Sequence, residues 1–204
     1  LYLECYQPGL RDPIDPTTRA LFEAGTRVGI VAQGRHPGGV KITENYLRHN
    51  DAVRSTAAAM AKPGTTAVFE GAFTFDDVKV RVDILAADGS STWDLLEVKS
   101  SSGYKEDYLW DIGIQLYVLE GLGIRVRRAC LLHVNNQYVY PGGPYDLEQL
   151  FALRDLTEQA REIRPHLKRD LDAMRVPLWL REPPGIPIGV QCRRPYTCPF
   201  YTHC

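Results

Sequence analysis

A chain of 204 residues, 44% of them hydrophobic, is long enough for one large domain, or one domain with a small appendage, and apolar enough for a sizeable core. No run of about 18 apolar residues occurs, so no segment is expected to span a membrane. The net charge of −1 by itself favours no partner class, but residues 1–120 hold 12 Lys and Arg against 17 Asp and Glu, whereas residues 121–204 hold 12 against 8.

The chain opens at Leu1 without Met or a signal-like apolar run, and so reads as a trimmed piece of a longer protein, expected in the cytoplasm. Thr17-Thr18 and the spacing of Leu21, Phe22, Ala24, Val28 and Ala32 predict an amphipathic helix over 16–34. A second helix is expected from Thr43 to Ala61, closed by Lys62-Pro63-Gly64. Three β-rich runs follow, Thr66–Phe75, Val78–Ala86 and Thr92–Ser100, separated by the turn signals Asp76-Asp77 and Asp88-Gly89; they predict an antiparallel meander. Helical spacing returns from Tyr108 to Leu122, ahead of Gly123. Arg127–Val134 and Tyr138–Tyr140 read as strands around an Asn135-Asn136 turn, and Asp146–Arg175 as largely helical with a break at Pro165. From Val176 onward proline recurs at 177, 183, 184, 187, 195 and 199, which excludes a long helix. The pattern predicts an α/β fold, a central mixed β-sheet flanked by helices, over residues 1–175, with a Pro-rich tail over 176–204.

The stretch Leu95-Leu96-Glu97-Val98-Lys99 opens like a core strand yet carries an acid and a lysine two residues apart. Strand side chains alternate faces, so Glu97 and Lys99 point the same way. A connecting loop centred near Ser90 places Asp83, in the preceding strand, opposite Glu97, on the same face and about 5 Å away at Cβ. Two like charges so placed repel, and a hard divalent cation removes the conflict by taking carboxylate oxygens. Lys99 would then orient a water or stabilise charge on a phosphate. Glu70, in Ala67-Val68-Phe69-Glu70-Gly71, offers a further carboxylate between apolar neighbours. The structural alternative is an exposed cross-strand Lys–Glu pair.

Asp83 within Arg81-Val82-Asp83-Ile84-Leu85, then Glu97-Val98-Lys99-Ser100-Ser101, with Gly25, Val28 and Gly29 before them, Phe69-Glu70 ahead of the hairpin and Asp111–Leu119 behind it, resembles the PD-(D/E)XK nuclease superfamily in its RecB-like branch. The likeness spans nearly the whole chain and is strongest toward iron–sulfur members, which include the CRISPR-associated exonucleases. It implies a restriction-endonuclease-like sheet; Asp83, Glu97 and the Val98 carbonyl as ligands of Mg²⁺ or Mn²⁺; Lys99 positioning the attacking water or the phosphate; Gln115 supporting the site; and Glu70 as an auxiliary acid. It departs from the family in lacking the histidine many relatives carry in the first helix, and in having Leu119 where an aromatic often stands. Activity in that reading is DNA hydrolysis, as an exonuclease on single-stranded or end-bearing DNA, with a helicase or second nuclease domain as a partner in a longer chain. A non-catalytic nucleic-acid-binding module on the same fold is the alternative.

Five cysteines occur, and Cys192, Cys198 and Cys204 are spaced by five residues each inside the Pro-rich tail. That spacing suits zinc poorly, although a Zn-tethered structural domain remains a rival, and a disulfide framework is not expected without secretory signs. Thiolates also hold 4Fe–4S clusters, which need four. The resemblance implies such a cluster, stapling the tail to the N-terminus, with Cys5 or a residue upstream of Leu1 as the fourth ligand. Cys130, in a strand, reads as a small buried hydrophobe, and His203 as a surface histidine. Basic groups at Arg125, Arg127 and Arg128, at 161–169 and at Arg193-Arg194 are read as a phosphate-facing flank or as a solvated face.

Overall fold

The computed structural model describes residues 1–194 and 196–204; Pro195 lies outside the described residues. The chain divides into two compact units, Phe22–Arg164, and Leu1–Leu21 with Pro165–Cys204. In chain order the elements are α1 (Tyr2–Tyr6), α2 (Pro16–Gln33), β1 (Val40–Lys41), α3 (His49–Ala61), β2 (Ala67–Phe75), β3 (Val78–Ala87), β4 (Trp93–Lys99), α4 (Glu106–Gly121), β5 (Val126–Val134), α5 (Leu147–Leu150), β6 (Phe151–Asp155), α6 (Thr157–Glu162) and α7 (Arg164–Arg175).

The larger unit is built on one six-stranded mixed sheet, in the order β1-β2-β3-β4-β5-β6. β2, β3 and β4 form the expected antiparallel meander, and β1/β2 and β4/β5 are parallel. The two tight connections set the register. Asp76 and Asp77 both have positive φ, +51° and +59°, the backbone of a two-residue hairpin turn whose twist matches its strands. At the next turn the Asp88 carboxylate accepts from the N–H groups of Ser90 and Thr92 and from both hydroxyls. The parallel pair β4/β5 needs a crossover, and α4 supplies it.

Alternation along the strands sorts the core into two faces. Phe69, Ile84, Ala86, Leu96, Cys130 and Leu132 pack with Ala32, Val28 and Val31 of α2. On the other face Val68, Ala72 and Trp93 pack with Ala52 and Ala59 of α3, and α4 lies against β3 and β5. Gly113 lets α4 approach α6, because a Cβ there would stand 2.7 Å from Ile163 Cδ1.

Three sequence expectations differ from the structure. The helix expected from Thr43 begins at His49: the Asn45 side chain accepts from Leu47 N–H and Arg48 N–H, and Arg81 takes the carbonyls of Glu44 and Asn45, which diverts that backbone from a helical ladder. Tyr138–Tyr140 is not a strand; Tyr138 N–H closes a turn onto Asn135 O, and β6 is the strand antiparallel to β5. The segment expected to be helical over 146–175 is therefore α5, β6, α6 and α7, with Pro165 in the first turn of α7, where its missing N–H costs no helix bond.

In the smaller unit the N-terminal segment and the tail hold each other by polar contacts. Tyr2 and Tyr6 of α1 donate to the carbonyls of Arg181 and Leu178 at 3.0 and 2.7 Å. Asp12 N–H donates to Pro199 O at 2.7 Å, and Thr202 N–H and Oγ1 donate to the Asp12 carboxylate. Among the described residues no helix is long and apolar enough to cross a membrane.

Candidate active site

The site lies in the larger unit, where the ladder between β3 and β4 ends. Ile84 pairs with Leu96; one step further Asp83 and Glu97 leave the ladder, and Val98 N–H donates instead to Asp83 Oδ2 at 2.8 Å. On the other side of β3, Phe69 pairs with Ile84 and Gly71 with Val82, so Glu70 and Asp83 occupy the opposed position between them. Glu70, Asp83 and Glu97 thus form one row across β2, β3 and β4. Glu70 has φ of +56°, a left-handed conformation that a glutamate adopts only under constraint. Arg81 supplies that constraint, its Nη1 donating to Glu70 O at 3.2 Å.

α4 closes the row from above the sheet. Gln115 Nε2 donates to Glu97 Oε2 at 2.6 Å, and Lys99 Nζ lies 2.8 Å from Glu97 Oε1 and 2.6 Å from Asp111 Oδ2. Asp111 and Gln115 are four residues apart on one helical face, so one turn of α4 grips both Glu97 and Lys99 of β4. Glu97 is buried and held at both oxygens. A cleft of about 270 Å³ opens here, lined by Arg81, Asp83, Glu97, Asp111 and Gln115 among others.

The electrostatics follow from this crowding. Burial, and then the charge of Glu97, push the Asp83 carboxyl up to about 8. Glu70 is also raised, by burial first and with a contribution from Glu97, against the opposing charges of Lys41 and Arg81. Burial alone would lower Lys99, but the charge of Glu97 and the hydrogen bonds that Lys99 donates to Asp111 and Glu97 hold its ammonium above the ordinary value.

Among the described residues no three His, Cys, Asp or Glu side chains gather as a set able to hold a metal ion. Two carboxylates with an adjacent main-chain carbonyl are nevertheless the size of set by which Mg²⁺ is bound, since it keeps most of its waters. Two observations fit that ion: the burial and then the Glu97 charge that raise Asp83, and Gln115 Oε1, buried in the wall of the cleft with no hydrogen-bond partner among the described residues. The four cysteines expected to hold a cluster all belong to the smaller unit, Cys192 and Cys198 half-buried, Cys5 and Cys204 exposed. Cys198 N–H donates to Cys192 O at 2.8 Å, and among the described residues no three of the thiols form a set able to hold a metal ion. Four thiols within one unit are the donor chemistry that an iron–sulfur cluster takes. Cys130 is buried in β5, as expected of a small hydrophobe.

Sequence reading had not placed Asp111 or Arg81 in this site. Asp111 was detectable as the residue one helical turn before Gln115; an arginine in an alternating strand gives no such signal. The arginines read as a phosphate-facing flank have partners within the chain: Arg127 and Arg128 both bind buried Asp94, at 2.6 Å each, and Arg161 and Arg164 bind Glu120. No family model and no curated protein matches the chain.

Proposed function

We propose that this chain is a divalent-metal-dependent nuclease of the PD-(D/E)XK superfamily, on a restriction-endonuclease-like sheet, that hydrolyses DNA phosphodiester bonds. The observation that carries the reading is the row of Glu70, Asp83 and Glu97 beside a lysine locked between Glu97 and Asp111. Asp83, Glu97 and the Val98 carbonyl would hold Mg²⁺ or Mn²⁺. That ion supplies Lewis acidity toward a phosphoryl oxygen and toward water at neutral pH.

The chain's own residues supply the rest. Gln115 fixes one oxygen of Glu97 and Lys99 the other, so the carboxylate cannot rotate away. Lys99 brings a full positive charge to the edge of the cleft, where it stabilises the charge that builds on the phosphate as water oxygen bonds to phosphorus and the ester P–O bond breaks. Glu70, whose raised carboxyl takes a proton more readily than an ordinary glutamate, serves as an auxiliary acid. A structural 4Fe–4S cluster on Cys5, Cys192, Cys198 and Cys204 is a separate part of the proposal and takes no part in these steps.

The test is cleavage of end-labelled single-stranded and duplex DNA with Mg²⁺ or Mn²⁺. Lys99→Ala and Glu97→Ala should each abolish cleavage while leaving the fold and most DNA affinity intact, because both act in the chemical step. Undiminished turnover in either variant rejects the assigned centre. Binding without cleavage by the unaltered chain would make it a nucleic-acid-binding module.

A further inference from the structure

A second cleft in the larger unit, about 250 Å³, is lined by Tyr46, Leu47, Arg48, His49 and Lys79, with Asn50 and Asp51. Tyr46 and Leu47 are 78% and 79% exposed. Two large side chains exposed side by side on a backbone held in place can serve as a contact surface, and this backbone is held. Asn45 Oδ1 accepts from Leu47 N–H and Arg48 N–H, at 3.1 and 3.3 Å. Arg81 Nη2 grips the carbonyls of Glu44 and Asn45, and the His49 ring is tied to Thr74 Oγ1 at 2.9 Å. The turn is anchored on three sides, and it offers the tyrosine ring to solvent.

The same guanidinium joins this turn to the acidic row, since Arg81 also donates to Glu70 O. Lys79, Arg81 and Asp83 occupy alternate positions of β3 and share a face. Four strand residues cover about 13 Å, so Lys79 stands that far from Asp83; at about 3.4 Å per stacked nucleotide this is a span of some four nucleotides, fewer if the strand is extended. The local charge is favourable: Lys79 is exposed and has no carboxylate partner among the described residues, while Asp51 is neutralised by Arg48 and Arg54.

We propose that Tyr46 is a stacking platform for an unpaired base of a single-stranded nucleic acid whose backbone runs over Lys79 toward Asp83 and Glu97. The inference rests on the nuclease reading for the direction of the strand, and it names the substrate class: a base can lie on the ring only if it is free of its complement. An aromatic face flanked by an unpartnered cation is what sequence-tolerant single-strand binding needs. A lipid surface or an acidic peptide would gain nothing from a basic path leading from the tyrosine to the acidic row.

The test measures binding of fluorescein-labelled oligothymidylate by anisotropy, with EDTA present so that no cleavage occurs. Tyr46→Ala should weaken binding about tenfold, the effect of losing one base–aromatic stack. Tyr46→Phe, which keeps the ring, should bind within about twofold of the unaltered chain. Lys79→Ala should lower the salt dependence by about one phosphate contact. Tyr46→Ala binding as tightly as the unaltered chain overturns the platform, whether or not the chain cleaves DNA. An equal loss on a blunt duplex, or no binding of the oligonucleotide at all, overturns it too. If the unaltered chain fails to cleave DNA with Mn²⁺ while Tyr46→Ala still loses affinity, the platform stands and the nuclease reading falls.

Discussion

Asp83→Asn should make the metal-free protein more stable, although it removes a residue central to the proposed chemistry. The carboxyl is pushed up to about 8 in the folded chain, against an ordinary value of 3.8, by burial and then by Glu97. Between those values the folded state keeps a proton that the unfolded state releases, so stability from this group is greatest below 3.8 and is lost as pH rises toward 8. Each pH unit in the window changes stability by about 1.4 kcal/mol. Near pH 7 the accumulated penalty is about 4 kcal/mol at most, and about 2 kcal/mol if water entry relaxes the site. Asparagine is close in shape, keeps an oxygen to accept the Val98 N–H bond, and does not titrate. Urea unfolding of both proteins, followed by far-UV circular dichroism, should therefore give curves that nearly coincide near pH 4 and separate as pH rises toward 8. Mg²⁺ or Mn²⁺ should stabilise the unaltered chain, by about 2.7 kcal/mol at a hundredfold excess over its dissociation constant, and leave Asp83→Asn unchanged. A stability difference that is flat with pH, or an asparagine variant less stable near pH 7, would refute the argument that Asp83 is a buried carboxyl facing a like charge.

Three further outcomes are expected. Asp111→Ala should release Lys99 from its 2.6 Å partner and lower turnover about 10- to 100-fold with DNA affinity unchanged, read as a fall in kcat at constant KM in a steady-state cleavage assay. Asp94→Asn should cost about 2 kcal/mol in urea unfolding: burial would push the Asp94 carboxyl up, but hydrogen bonds from Arg127 and Arg128 outweigh it, and the amide takes the counter-charge from two half-exposed guanidinium groups, of which Arg127 keeps Asp88 at 3.7 Å. Iron content should fall on Cys198→Ala together with melting temperature if thiolates of the smaller unit hold a cluster, and a colourless, iron-free protein prepared without oxygen that melts like the variant would reject it.

The hairpins were legible because their turns carry their own chemistry. Asp76-Asp77 and Asp88-Gly89 are local signals, and they fix the register as well as the positions of the strands. A loop centred near Ser90 brings Asp83 opposite Glu97; by the same arithmetic a turn at Asp76-Asp77 brings Glu70 opposite Asp83, so the whole acidic row was available from two turn positions. Glu97 and Lys99 on one face followed from the pleat. Gln115 entered through resemblance, because a glutamine on an apolar helix states no partner by itself. β6 was not legible: Phe151–Asp155 is a five-residue edge strand between two helices, and its side chains fit a helical pattern as well as an alternating one. The pairing of Arg127 and Arg128 with Asp94 was invisible for another reason. Charge counts along the chain record cations but not the carboxylate that the fold brings to them from 33 residues away.

Stability alone gives no reason for the row to exist. Three acids at one level of a sheet repel one another, and burial makes Asp83 and Glu70 more costly to ionise. The β3/β4 pairing stops at Ile84 and Leu96, and the β2/β3 pairing skips the position of Glu70 and Asp83 between Phe69–Ile84 and Gly71–Val82. Glu70 is held at positive φ, Arg81 is half-buried to hold its carbonyl, and Asp111 and Gln115 on the sheet-facing side of α4 turn toward β4. Each feature breaks a local rule, and all of them break it toward the same cleft. Elsewhere in the larger unit propensity, patterning and turn chemistry agree: the hairpin turns suit their strands, and the apolar residues alternate onto packed faces. Several local conflicts that converge on one row point to what these residues do for a ligand rather than for the fold. A divalent cation is the ligand that would turn the repulsion between Asp83 and Glu97 into shared attraction, which is why the metal dependence of stability is as direct a test of this site as the cleavage of DNA.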